Sequence, residues 1–75
     1  MYLITTKNIF STKILTDELN KIYSEHNIVI LGLKFIEVNS IVGIPAIFNT
    51  VLKEHATKVV YKRRVGNSTR YINII

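Results

Sequence analysis

Lys58-Val59-Val60-Tyr61-Lys62-Arg63-Arg64-Val65-Gly66-Asn67-Ser68-Thr69-Arg70-Tyr71-Ile72-Asn73-Ile74-Ile75 is the stretch on which the reading of this chain turns. Its two runs, 58–65 and 68–75, are rich in β-branched and aromatic residues. Between them Gly66-Asn67 is a two-residue hairpin signal, because both residues tolerate positive φ. Partners symmetric about that turn place Val59 opposite Ile74, Tyr61 opposite Ile72 and Arg63 opposite Arg70 on one face. Val60 with Asn73, Lys62 with Tyr71 and Arg64 with Thr69 fall on the other. The apolar pairs lie at the base of the ribbon. Arg63 facing Arg70 near the tip sets like charges opposite each other, which costs stability unless both are solvated or an anion sits between them. Tyr61 is expected to pack in the core, whereas Tyr71 either packs across the strands or stacks on an exposed base.

The net charge of +5 sits entirely in this region. Residues 1–54 carry Lys7, Lys13, Lys21, Lys34 and Lys53 against Asp17, Glu18, Glu25, Glu37 and Glu54, and cancel. Residues 55–75 carry Lys58, Lys62, Arg63, Arg64 and Arg70 with no acid. A basic surface kept for solubility is more often spread along a chain and built from lysine. Arginine's planar fork suits bidentate phosphate contacts, so the clustering points to an anionic polymer as partner over a merely solvated face.

Upstream, Tyr2–Thr6 reads as a strand. Ser11, Thr12 and Thr16 are candidate N-caps of a first helix with Ile14, Leu15, Leu19, Ile22 and Tyr23 on its apolar face, ending near His26-Asn27. Ile28-Val29-Ile30-Leu31 opens a second strand expected to run through Gly32 to about Val38. Gly43-Ile44-Pro45 interrupts the pattern. Pro45 then suits the first position of a second helix carrying Ile47, Phe48, Val51 and Leu52 on one face through His55. The expected class is α+β, one small domain over residues 1–75, in the order β-α-β-α-β-β with a C-terminal basic hairpin.

Seventy-five residues allow one small core, and 48% apolar residues, with 13 isoleucines among them, suffice to build it. The apolar runs Ile28–Leu33 and Ile41–Phe48 are too short to cross a bilayer, and no signal-peptide order is present, so a cytoplasmic protein without a membrane partner is expected. The absence of cysteine excludes disulfides, zinc-thiolate sites and thiol nucleophiles. His26 and His55 fall near helix ends without ligand neighbours at metal spacing, and Glu37 and Glu54 have no nucleophile or phosphate loop beside them. No catalytic group, metal, cofactor or small-molecule substrate is therefore expected. The apolar content exceeds what one small core covers, which leads to the expectation of a homodimer with some of Ile41, Val42, Ile44, Ile47 and Phe48 facing the partner.

The element order, the strand at Tyr2–Thr6, Lys7 in the loop that follows, Ile28-Val29-Ile30 and Arg64-Val65-Gly66 together resemble the Alba family of small archaeal chromatin and RNA-binding proteins. The resemblance spans nearly the whole chain. It implies a dimer that lays its helix-one loops along a duplex and reaches around it with two hairpins, largely through backbone and groove contacts. A winged helix is the competing architecture, with Glu37–Val42 and Pro45–His55 as its helices and 58–75 as the wing.

The expected function is non-catalytic nucleic-acid binding, with double-stranded DNA favoured and RNA possible, largely without sequence specificity and in a chromatin or architectural role. The expected contacts are Lys7, Lys62, Arg63, Arg64 and Arg70, with Asn67 in a groove at the tip. The alternatives are a winged-helix regulator and a small interaction module docking on an acidic protein.

Overall fold

The computed structural model describes residues 1–40 and 42–75. Ile41, one of the apolar residues assigned to a dimer contact, lies outside them. The described residues form a two-layer α+β domain in which five antiparallel strands carry two α-helices on one face. In chain order the elements are β1 (Tyr2–Thr6), α1 (Ile9–Leu19), β2 (Ile28–Gly32), β3 (Phe35–Val38), α2 (Asn49–His55), β4 (Ala56–Val65) and β5 (Ser68–Asn73), and the strands lie in the order β2-β3-β1-β4-β5.

Strand alternation sorts side chains onto the two faces of this sheet. Ile4 of β1, Ile36 and Val38 of β3 and Val59 of β4 are buried with Leu15 and Leu19 of α1 and Leu52 of α2. Leu3, Phe35 and Val60, one residue out of phase, point to the face the helices leave open.

The expected single strand over 28–38 is two strands. β2 and β3 fold back on each other around Leu33-Lys34, with Ile28 opposite Val38 and a register shift between Ile30 and Gly32. The turn is held from outside. Thr12 Oγ1 donates to the Leu33 carbonyl at 2.7 Å, and Thr6 N donates to that of Lys34 at 2.8 Å. Thr6 and Thr12 hydroxyls lie 2.6 Å apart, so a buried polar chain ties β1, α1 and the turn together. The order is therefore β-α-β-β-α-β-β, in place of the expected β-α-β-α-β-β.

The same hairpin overturns the winged-helix register, which requires Glu37 and Val38 in a helix. Both pair with β1, Glu37 with Leu3 and Val38 with Tyr2, because the alternation of exposed Phe35, buried Ile36, half-buried Glu37 and buried Val38 suits a sheet.

Helix boundaries also differ from expectation. Asn8, in place of Ser11, Thr12 or Thr16, caps α1, its side chain accepting from Ser11 N at 2.8 Å. The two threonines and the serine lie inside the helix: the Ser11 and Thr12 hydroxyls bond inward to His55 and to Thr6 and Leu33, and Thr16 Oγ1 donates back to the Thr12 carbonyl at 2.7 Å. α1 ends at Leu19 with Asn20 as C-cap, and Tyr23 reaches the core from the following turn while Ile14 and Ile22 stay exposed. Pro45 caps a 3₁₀ turn, Ala46–Phe48, that leads into α2, and Ile47 is 82% exposed instead of facing the core. His26 lies in a second 3₁₀ turn, Glu25–Asn27. Among the described residues no helix is long and apolar enough to cross a membrane.

Candidate nucleic-acid interface

β4 outgrows the sheet. Its pairing with β1 runs from Ala56 opposite Thr6 to Tyr61 opposite Tyr2, and the Lys62 amide donates to the Met1 carbonyl at 2.8 Å. Beyond that point its partner is β5, through Arg63 opposite Arg70, Arg64 opposite Thr69 and Val65 opposite Ser68. The result is a two-stranded arm on a domain measuring 36 × 24 × 23 Å. Gly66 turns the arm with φ +59°, and Asn67 has negative φ, the sign pattern of a type II′ turn and not of I′.

Alternation divides the arm's cations. Arg63 and Arg70 project on the helix side of the sheet and line a groove with Val65, Ser68 and Ile72. Lys62 and Arg64 project on the open side. Arg63, Arg64, Asn67 and Arg70 are exposed, and Lys62 is half-buried. Among the described residues the ion pairs are Lys21 with Glu18 at 3.0 Å and His55 with Glu54 at 4.0 Å, and the arm enters neither. Four cations on a narrow ribbon without an acid present a concentrated positive field from both of its faces.

Lys7 is not brought to this arm. It follows Thr6 at the opposite end of the sheet, where its amide donates to the His55 carbonyl at 3.0 Å. Arg63 stands seven residues along β4 from Ala56, the partner of Thr6, which separates Lys7 from it by roughly 23 Å at ~3.3 Å per residue.

Of the tyrosines, Tyr61 packs half-buried against Tyr2, ring centroids 5.0 Å apart and tilted by 52°. Tyr71 is 62% exposed opposite Lys62. Burial and the neighbouring Tyr2 raise the Tyr23 phenol above its ordinary pKa of 10.0, and its hydroxyl donates to the Val42 carbonyl at 2.8 Å. His55 ends α2 with Nδ1 3.2 Å from Ser11 Oγ. Among the described residues no three His, Asp or Glu side chains gather as a metal site.

Lys58 and Phe35, which are not among the expected contacts, lie on the same open face as Lys62 and Arg64. Lys58 pairs with Thr5, as does Phe35 from the other side, so both lie in one row on the open face. The signal for Lys58 was present, since Lys58, Val60, Lys62 and Arg64 alternate along one strand. Phe35 was hidden by the missed turn before it. No family model, curated protein or solved structure matches the chain.

Proposed function

We propose that the protein binds nucleic acid without catalysis, double-stranded DNA in the first instance, through the arm. Lys62, Arg63, Arg64 and Arg70 contact phosphates, and Asn67 at the tip enters a groove. The single observation that carries this reading is that four cations without ion-pair partners among the described residues stand on a two-stranded extension that leaves the sheet behind. An arm that serves the fold alone has no need of arginines facing each other at its tip, where they repel. Phosphates on either side of an inserted ribbon offset that repulsion, and such contacts position the protein without reading bases, as an architectural or chromatin role requires.

In a homodimer two arms would embrace one duplex, with Lys7 meeting a separate stretch of backbone. Val42 and Ile47, both exposed, are available to the partner copy in that assembly, and a cytoplasmic location accords with it. Light scattering at tens of micromolar is expected to give twice the chain mass, and a monomer there would remove the dimer from the reading.

The direct test is a gel shift with two unrelated duplexes of about 20 base pairs at 50 and 200 mM salt. Binding to both, weakening steeply with salt, is the expected result. Absent or salt-insensitive binding, with an acidic protein recovered on the arm instead, would overturn the reading.

A further inference from the structure

We infer that the open face of the sheet is a second binding surface, a stacking platform for single-stranded nucleic acid distinct from the duplex-binding tip. The helices cover the opposite face, so this one has no layer over it. Its centre is a groove of about 360 Å³ floored by Leu3 and Val60, and Val60 is only 9% exposed because its neighbours close around it. A ligand lying there meets a flat apolar floor.

Two aromatic rings stand at opposite corners of that floor. Phe35 of β3 is 52% exposed and Tyr71 of β5 is 62% exposed, and both line the groove. Each shares a cross-strand row with a lysine. Tyr71 is directly opposite Lys62, and Phe35 lies in the row that runs through Thr5 to Lys58. Arg64 continues the same line of cations along β4. Among the described residues Glu37 is the one acid on the face, set back on β3 opposite Leu3.

Exposed rings beside cations that have no ion-pair partner among the described residues are the two components of sequence-tolerant single-strand binding. Bases stack on the rings while the phosphates follow the charge. From the register, the two rings are separated by three strand spacings and four residues, roughly 20 Å, so a strand crosses the sheet obliquely with its central bases over Leu3 and Val60. A duplex, whose bases are already stacked and paired, offers these rings nothing. The charge balance favours an anionic occupant over a second copy of this chain, since two such faces would oppose three cations each with one acid each.

This inference shares Lys62 and Arg64 with the duplex reading but does not rest on it, because its rings, Phe35 and Tyr71, are not duplex contacts and the tip pair Arg63 and Arg70 lies on the other side of the sheet. Its test uses fluorescence anisotropy of a labelled twelve-nucleotide oligo-dT, with a 20-base-pair duplex measured in parallel. The variants are Tyr71→Leu and Phe35→Leu, which keep apolar bulk but cannot stack, and Tyr71→Phe, which can. Each leucine variant is expected to weaken oligo-dT binding by about ten-fold while leaving duplex binding within about two-fold, and Tyr71→Phe is expected to match the parent. Both side chains are more than half exposed, so folding is preserved, and a circular-dichroism melt of each variant verifies it. Unchanged oligo-dT affinity in both leucine variants, or no oligo-dT binding by the parent, overturns the inference. So does loss of a dimer in light scattering without loss of oligo-dT binding, which would mark the face as a contact between copies.

Discussion

Replacing Arg63 and Arg70 together by alanine removes the cross-strand arginine pair of the arm and nothing from the core. Both residues are exposed, directly opposite each other, and free of ion pairs among the described residues. Each phosphate contact contributes about 0.9 to the slope of log affinity against log salt. For each arm engaged, four cations therefore give a slope near −3.6 and a loss of about 150-fold between 50 and 200 mM salt, and two cations a slope near −1.8 and a loss of about 12-fold. The double variant should bind unrelated duplexes more weakly at 50 mM by similar factors, with its salt slope reduced by roughly two for each arm engaged. Its thermal midpoint should not fall, because a like-charge pair has been removed. Gel-shift titrations of two unrelated sequences at four salt concentrations measure all of this. An unchanged slope would mean that the arginines are solvated and touch no phosphate. Loss of one sequence with retention of the other would mean that the arm reads bases.

Lys7→Ala, at the far end of the sheet, should lower the salt slope by no more than about one and add independently to the arginine changes; the same titrations show whether the combined variant departs from additivity. Gly66→Ala meets no neighbouring atom but forces a Cβ into positive φ, so a loss of about 1–2 kcal/mol is expected from denaturant melts. Tyr23→Phe forfeits the bond to the Val42 carbonyl, with an expected loss of about 1 kcal/mol. Because the folded-state pKa of Tyr23 is raised above 10.0, its contribution is complete below pH 10 and is lost as pH climbs through the folded value. Thermal melts at pH 9 and pH 11 should therefore show a smaller drop for Tyr23→Phe than for the parent.

The elements readable from the chain are those whose signals are local. β1 and the β4–β5 register follow from residue types and from where Gly66-Asn67 falls, since the pairing is symmetric about a two-residue turn. The turn at Leu33-Lys34 was not readable because neither residue is a turn former. Its carbonyls are taken up by Thr12 and Thr6, contacts of 21 and 28 positions' separation that appear only once α1 has packed. The same tertiary demand moved the cap of α1. Thr12 was a reasonable N-cap by type, but its hydroxyl is engaged with Thr6 and Leu33, which leaves Asn8 to accept from Ser11. For the candidate site, charge clustering located the arm. The remoteness of Lys7 was invisible, because it depends on which end of the sheet the loop after β1 occupies.

β4 explains why a neutral domain carries its whole excess charge on one hairpin. A strand alternates its side chains, so ten residues from Ala56 to Val65 serve three surfaces at once. Val59 turns inward to the core under α2, as does Ala56 across the register shift between Thr5 and Thr6, and Lys58, Val60, Lys62 and Arg64 turn to the open face. Arg63, in phase with Val59 but past the last residue paired with β1, emerges on the first side without an ion-pair partner among the described residues. Shifting this strand by a single residue would put Thr57 and Val60, or His55 and Lys58, where Ala56 and Val59 now pack. The tip arginine would then pass to the other face. Core burial thus fixes which cations each side of the arm displays. A one-residue insertion after Arg64, beyond the last contact with β1, would leave the core register intact while altering the arm. It should weaken duplex binding by displacing Asn67 at the tip, while Arg63 and Arg64 keep their faces, without lowering the melting temperature of the domain.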